Sequence, residues 1–183
     1  MNIYAIKIAL RGISPMIWRR LRLSGDTTIA ELHHIIQVSM GWDNDYLHCF
    51  HIHGKDYGIA YEGGLNFSDD PRTICIDDFG FEAGDRFTYT YNFNDNWLND
   101  VRIEDVQPAA GKTGPLPFCV SGSRRHGADE IDEYEALVRV LDKIVNPDTL
   151  TTVGDIRLLI EDYEAVRFNR QAINKCLSGA LSS

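Results

Sequence analysis

The segment RFTYTYNFNDNWLNDVRIEDV, residues 86–106, decides the fold. From Arg86 to Phe93, and again from Trp97 to Val106, apolar and polar residues alternate with the period that sends successive side chains to opposite sides of a strand. Between them Asn94-Asp95-Asn96 tolerates the positive backbone dihedrals of a tight turn. The stretch therefore predicts an antiparallel hairpin. Phe87, Tyr89, Tyr91 and Phe93 line one face of its first strand; Trp97, Asn99, Val101 and Ile103 line one face of its second. Pairing across the turn merges the two rows into an aromatic surface that carries two phenols and one amide.

Upstream, Tyr4, Ile6, Ile8 and Leu10 share one side of an extended segment over Ile3 to Leu10, with Lys7 on the other. Gly12-Ile13-Ser14-Pro15 supplies turn chemistry and a second strand follows from Met16 to Leu23, so a hairpin opens the chain. Thr28 and Glu31 form a capping box. Ile29, Leu32, Ile36 and Met40 then make a helical stripe that stops at Gly41. Tyr46 to Ile52 reads as a third strand and Gly54 starts a turn. Residues 58–72 read as a loop and Ile74 to Ile76 as a short strand.

Downstream, the prolines and glycines of 107–118 mark a connector. Tyr134, Leu137, Val138, Leu141, Ile144 and Val145 predict one amphipathic helix, and Ile156, Leu159, Ile160 and Tyr163 predict another. Asn169 is placed to cap a last helix through Leu177. The expected fold is α+β, with antiparallel hairpins, a β-grasp-like ββα start and a helical C-terminal part packed on the sheet. It forms a single domain over 1–183, with a sheet-rich part over about 1–106, a connector over 107–130 and a helical part over 131–183.

Composition bounds the function. With 183 residues, 44% of them hydrophobic and 25% charged, the chain can bury a substantial core. Eighteen Lys+Arg stand against 27 Asp+Glu, a net charge of -9 that disfavours simple coating of nucleic acid. No apolar run is long enough for a membrane helix, so the expected location is cytoplasmic. The four scattered cysteines, Cys49, Cys75, Cys119 and Cys176, match no zinc or redox spacing and are expected as free thiols. Walker, dinucleotide-binding, HExxH and GxSxG signatures are absent. No cofactor is implied.

Several motifs occur in one order: Ile17-Trp18-Arg19-Arg20, Leu32-His33, Met40-Gly41-Trp42, Leu47-His48-x-Phe50, and Tyr89-x-Tyr91-Asn92-Phe93-Asn94-Asp95-Asn96-Trp97. In these the chain resembles the plasmid pRiA4b ORF-3-like family, prokaryotic proteins of unknown function, some of which carry the label transposon resolvase or passenger protein. The family pattern Tyr-Asp-Phe-Gly-Asp-Gly-Trp followed by His is altered, with Asn92, Asn94, Asn96 and Asn99 at the Asp, two Gly and His positions. The family's Cys-x-x-Gly is kept as Cys119-Val-Ser-Gly122. Its Pro-Pro-Glu-Asp-x-Gly-Gly stretch is reduced to Gly127-Ala-Asp129-Glu130.

Strand parity singles out side chains for function. Arg19 falls on the buried side of its strand, where a guanidinium needs a carboxylate, backbone carbonyls or an anionic ligand. His48 lies on an inward face with Phe50 and Ile52 and requires a hydrogen-bond partner. His33 borders the core beside Gln37, one turn along the same helix, and reads as a tie between helix and sheet. Arg19, His48, Trp97 and Asn99, with Asp95 at the rim, are accordingly expected to surround a pocket on the aromatic sheet face. Its ligand would be a small molecule or peptide carrying negative charge, and the protein a binding or interaction module rather than an enzyme. One alternative is a metal-dependent hydrolase or nuclease using His48, His51, His53, Asp95 and Cys119, with Cys49, His51 and His53 as a possible ligand set along one strand face. Another is an accessory DNA-binding protein of a plasmid or transposon.

Overall fold

A computed structural model describes residues 1–110, 113–124, 142, 146–149, 152–154, 156–158 and 167–180. Its centre is a seven-stranded sheet in the order β4-β3-β5-β6-β1-β2-β7. The strands are β1 (Asn2–Leu10), β2 (Trp18–Ser24), β3 (His48–Ile52), β4 (Lys55–Tyr57), β5 (Arg86–Tyr91), β6 (Trp97–Pro108) and β7 (Phe118–Ser123). Every neighbouring pair is antiparallel. Helix α1 (Ile29–Met40) covers one face, and α2 (Arg170–Ala180) packs on β7 and α1. The protein is α+β. Among the described residues no helix is long and apolar enough to cross a membrane.

The deciding hairpin forms with Tyr91 opposite Trp97, Tyr89 opposite Asn99 and Phe87 opposite Val101. Its turn is longer than the three central asparagine and aspartate residues: Asn92 and Asn96 take the positive φ values, 54° and 52°, and Asn96 N–H donates to the Asn92 carbonyl. Phe93 therefore leaves the strand and is exposed rather than continuing the aromatic row.

Helix α1 begins and ends as its sequence dictates. Thr28 and Glu31 make both hydrogen bonds of the capping box, and Gly41 closes the helix at φ 85°. Ile29, Leu32, Ile36 and Met40 are buried together with Ile35 and the polar His33 and Gln37. They pack against Tyr4, Ile6, Ile8, Leu21, Leu23, Phe50, Tyr89 and Ile103 in one cluster. Each fully buried aliphatic side chain contributes about 1.5–3 kcal/mol, which outweighs the modest propensity of a helix with this many β-branched residues.

Three short elements differ from the sequence reading. His53 and Gly54, at φ 50° and 78°, form a two-residue turn, so β3 pairs at once with β4. Ile76–Phe79 is a 3₁₀ turn instead of a strand, with only a bridge between Thr28 and Cys75 before it. The connector is shorter than expected, because β6 reaches Pro108 and β7 starts at Phe118. β7 runs close to its neighbours at Gly122, where a Cβ would meet Phe168 Cε2 at 2.7 Å and the Trp18 carbonyl oxygen at 2.8 Å. Asn169 caps α2 by accepting from Ala172 N–H at 3.1 Å. The expected helix over Tyr134, Leu137, Val138, Leu141, Ile144 and Val145 lies outside the described residues, as do Gly127-Ala-Asp129-Glu130 and Leu159, Ile160 and Tyr163.

Candidate functional site

Between α1 and the sheet lies a closed circuit of polar groups. His33 and Gln37, one helical turn apart, point from α1 toward β5, where the Tyr89 hydroxyl stands 2.8 Å from both His33 Nδ1 and Gln37 Nε2. His33 Nε2 lies 2.5 Å from Asn44 Oδ1, and the Asn44 backbone N–H returns to Gln37 Oε1 at 3.0 Å. With these atoms in place, Gln37 donates to the Tyr89 oxygen, the Tyr89 hydroxyl donates to His33 Nδ1, and His33 Nε2–H donates to Asn44. The imidazole is neutral in this arrangement. Burial drives its pKa down to about 4, against a smaller opposing effect of the Asn44 hydrogen bond.

His48, delivered from β3, stacks on His33 with ring centroids 3.5 Å apart and planes 10° from parallel. Its Nε2 accepts from Ile59 N–H at 3.3 Å, so the proton of the neutral ring sits on Nδ1, which is buried without a partner. Burial first, and the neighbouring His33 second, push its pKa down to about 2. Two charged imidazoles could not share this stack.

Gln37 and Asn44 are also wall residues of a cavity of about 580 Å³ on the outer side of α1. Glu31, His34 and Val38 of α1, Trp42 and Asp43 of the following loop, and Leu177 of α2 complete much of the wall. Trp42 carries the cavity to the aromatic layer, since its ring lies 5.0 Å from that of Tyr91 and 5.4 Å from that of Trp97. The Asn44 amide nitrogen takes no part in the circuit, and Asn44 is exposed at the cavity wall.

The side chains singled out in the sequence fall in several places. Trp97 packs behind Trp42, and His48 packs behind His33. Asn99 donates to the carbonyls of Tyr89 and Trp97, and its own oxygen is buried without a partner. Asp95 accepts from Asn92 Nδ2 at 2.7 Å in the hairpin turn. Arg19 is 1% exposed and lies toward the far end of α1, donating to the carbonyls of Ser39, Trp18 and Ser123 at 2.6, 2.9 and 3.0 Å. Ser39 is in the last turn of α1, so the guanidinium satisfies a carbonyl that the helix itself leaves open. It lines a second cavity, of about 340 Å³, with Ser39, Met40, Asn169 and Ile173.

Cys49 and His51 share a strand face, but His53 leaves it because the strand ends at Ile52. His51 Nδ1 is held 2.7 Å from Asp56, and His53 packs on Phe81. Among the described residues no three His, Cys, Asp or Glu side chains are grouped to hold a metal ion. All four cysteines are unbridged. The roles of Trp42, Asn44 and the Tyr89 hydroxyl escaped the sequence reading. The signal for them was the pairing of His33 with Gln37 on one helix face, two polar groups four residues apart that need a partner across the interface.

The model of the family described as plasmid pRiA4b ORF-3-like protein matches residues 2–172. The uncharacterised protein y4hQ of Sinorhizobium fredii is 28% identical over 125 residues, 66% of this chain and 63% of that protein, so the match spans less than two thirds of the relative. The crystal structure of a protein of unknown function, MM3350 from Methanosarcina mazei Go1, superposes with a TM-score of 0.66 at 25% identity, covering 93% of this chain and 96% of the other.

Proposed function

The chain belongs to the plasmid pRiA4b ORF-3-like family, and from that premise we propose that it is a binding module whose ligand occupies the cavity beside α1. The observation that carries this reading is the polar circuit of His33, Tyr89, Gln37 and Asn44, two members of which, Gln37 and Asn44, also line the cavity. Small-molecule sites combine an apolar, aromatic wall with a few fixed polar groups in this way. The described charged walls are the carboxylates of Glu31 and Asp43, so the ligand is a small molecule or peptide side chain with a positive charge, opposite in sign to the sequence expectation. In this reading His48, Trp97 and Asn99 serve the ligand through the groups they hold in place, and Asp95 through the turn it fastens.

The reading is tested with simple probes. Straight-chain alkylamines and alkylcarboxylates of matched length are titrated while NMR follows the Trp42 indole N–H and the side-chain amides of Gln37 and Asn44. Amines are expected to shift all three signals, and Asp43→Asn to weaken binding about threefold to tenfold. Carboxylates shifting them more strongly, or neither series shifting them, overturns the proposal.

A further inference from the structure

We infer that the sheet face opposite α1 binds single-stranded nucleic acid, a function separate from the cavity. On that face the strand register lines up Arg20 of β2, Lys7 of β1, Arg102 of β6 and Arg86 of β5, each directly opposite the next. With neighbouring strands about 4.8 Å apart, the four cations form a row on the order of 14 Å long across the sheet. Arg22 adds a fifth, two residues along β2. Arg22, Arg86 and Arg102 are exposed and Lys7 half-buried.

Such a row is unfavourable by itself, because like charges directly opposite one another on a sheet repel. Within the row the one acid is Glu104, which pairs with Arg20; Asp100 stands one pairing step away, bound to Arg11. The Glu104 carboxyl is held below its usual pKa, first by the Arg20 hydrogen bond and also by Lys7 and Arg102. No carboxylate lies within ion-pair distance of Lys7, Arg22, Arg86 or Arg102 among the described residues. A protein of net charge -9 thus sets five cations in and beside this row, with Glu104 among them and Asp100, paired to Arg11, and Asp105 flanking it opposite Ala9 and Ala5.

Trp18 supplies the second element. It lies one pairing step from the row, opposite Ala9, with Lys7 Nζ 4.9 Å and the Arg20 guanidinium carbon 5.4 Å from its ring centroid. A half-buried indole set among cations on a sheet is the arrangement that single strands use, with phosphates on the charges and a base on the ring. The fit to a duplex is poorer, because a broad sheet face does not enter a groove and paired bases are closed to stacking.

Fluorescence anisotropy of a labelled oligothymidylate 15-mer tests the inference on the full chain. Binding is expected at 20 mM salt and should weaken about 100-fold or more by 200 mM, the slope for three or four phosphate contacts on a single strand. Lys7→Gln with Arg102→Gln should weaken binding at least tenfold at 20 mM and flatten the salt slope by about 1.4. Trp18→Leu should weaken binding with the salt slope unchanged. Asp43→Asn, in the cavity wall, should leave it unaltered, which separates failure here from failure of the cavity reading. Absent binding at 20 mM, indifference to the Lys7 and Arg102 changes with the fold intact by circular dichroism, or tighter binding of a 15-base-pair duplex would each overturn the inference.

Discussion

On the side of the sheet that α1 covers, His33, His48, Tyr89, Gln37 and Asn99 are polar and nearly inaccessible. On the other side Lys7, Arg20, Arg22, Arg86 and Arg102 are charged and at least partly in water. The same two-residue alternation produced both faces, but the physics that each answers to is different. Beneath α1 water is not at hand to solvate a charge, so the imidazoles stay neutral; the hydrogen bonds of His33, Tyr89, Gln37 and Asn44 close on themselves, while His48 Nδ1 and Asn99 Oδ1 go without a partner. On the open face water solvates each charge, and the strands tolerate a row of like charges that could not be buried.

Acid sharpens this contrast most. An unfolded chain protonates its histidines near pH 6.5, whereas folded His33 and His48 resist protonation down to about 4 and about 2. Below 6.5 the unfolded state holds more protons, so stability falls as pH falls. The contribution is complete above about pH 7. It is lost at up to about 1.4 kcal/mol per pH unit for each imidazole, with the His33 share levelling off below about 4. Urea unfolding between pH 7 and 4 measures the slope, and His48→Phe should roughly halve it. A wild-type curve flat over that range would show that the inner face is not dry.

Tyr89→Phe should come next in size. It leaves His33 Nδ1 and a Gln37 N–H buried without their shared partner, at about 1–3 kcal/mol for each unsatisfied group. Chemical denaturation showing a loss under 1 kcal/mol would mean that the circuit reorganises freely. The smallest effect belongs to the open face. Lys7→Gln with Arg102→Gln removes an opposed pair of like charges together with their attraction to Glu104 and the Lys7 contact on Trp18, so the opposing effects should leave stability within about 1 kcal/mol of the wild type at low salt, and closer in 1 M salt. A loss well above about 1 kcal/mol would mean that these side chains serve packing rather than an external anion.

Much of this was legible in the residues. Thr28, Glu31 and Gly41 set the ends of α1, because capping and left-handed closure need only local atoms. Alternation put Arg19 and His48 inward, where they are 1% and 2% exposed. Asn169 marked the start of α2. Other features were hidden. β4 is three residues long and β7 carries serines and a glycine, so neither has the apolar alternation that announces a strand; each exists because an edge was free to pair. Phe93 looked like the end of the aromatic row until the turn claimed Asn92.

What the amino-acid order determined by itself was period, parity and punctuation: which side chains go inward together, and where each helix and hairpin stops. These depend on neighbours a few bonds away. Which hairpins lie side by side, β6 against β1 and β3 against β5, was decided only in the folded molecule, and with it the stacking of His33 on His48 and the joining of the Arg20–Lys7 and Arg102–Arg86 pairs into one row. Those groups are separated by as many as 95 positions along the chain, and only the burial of the common core brings them within reach of one another.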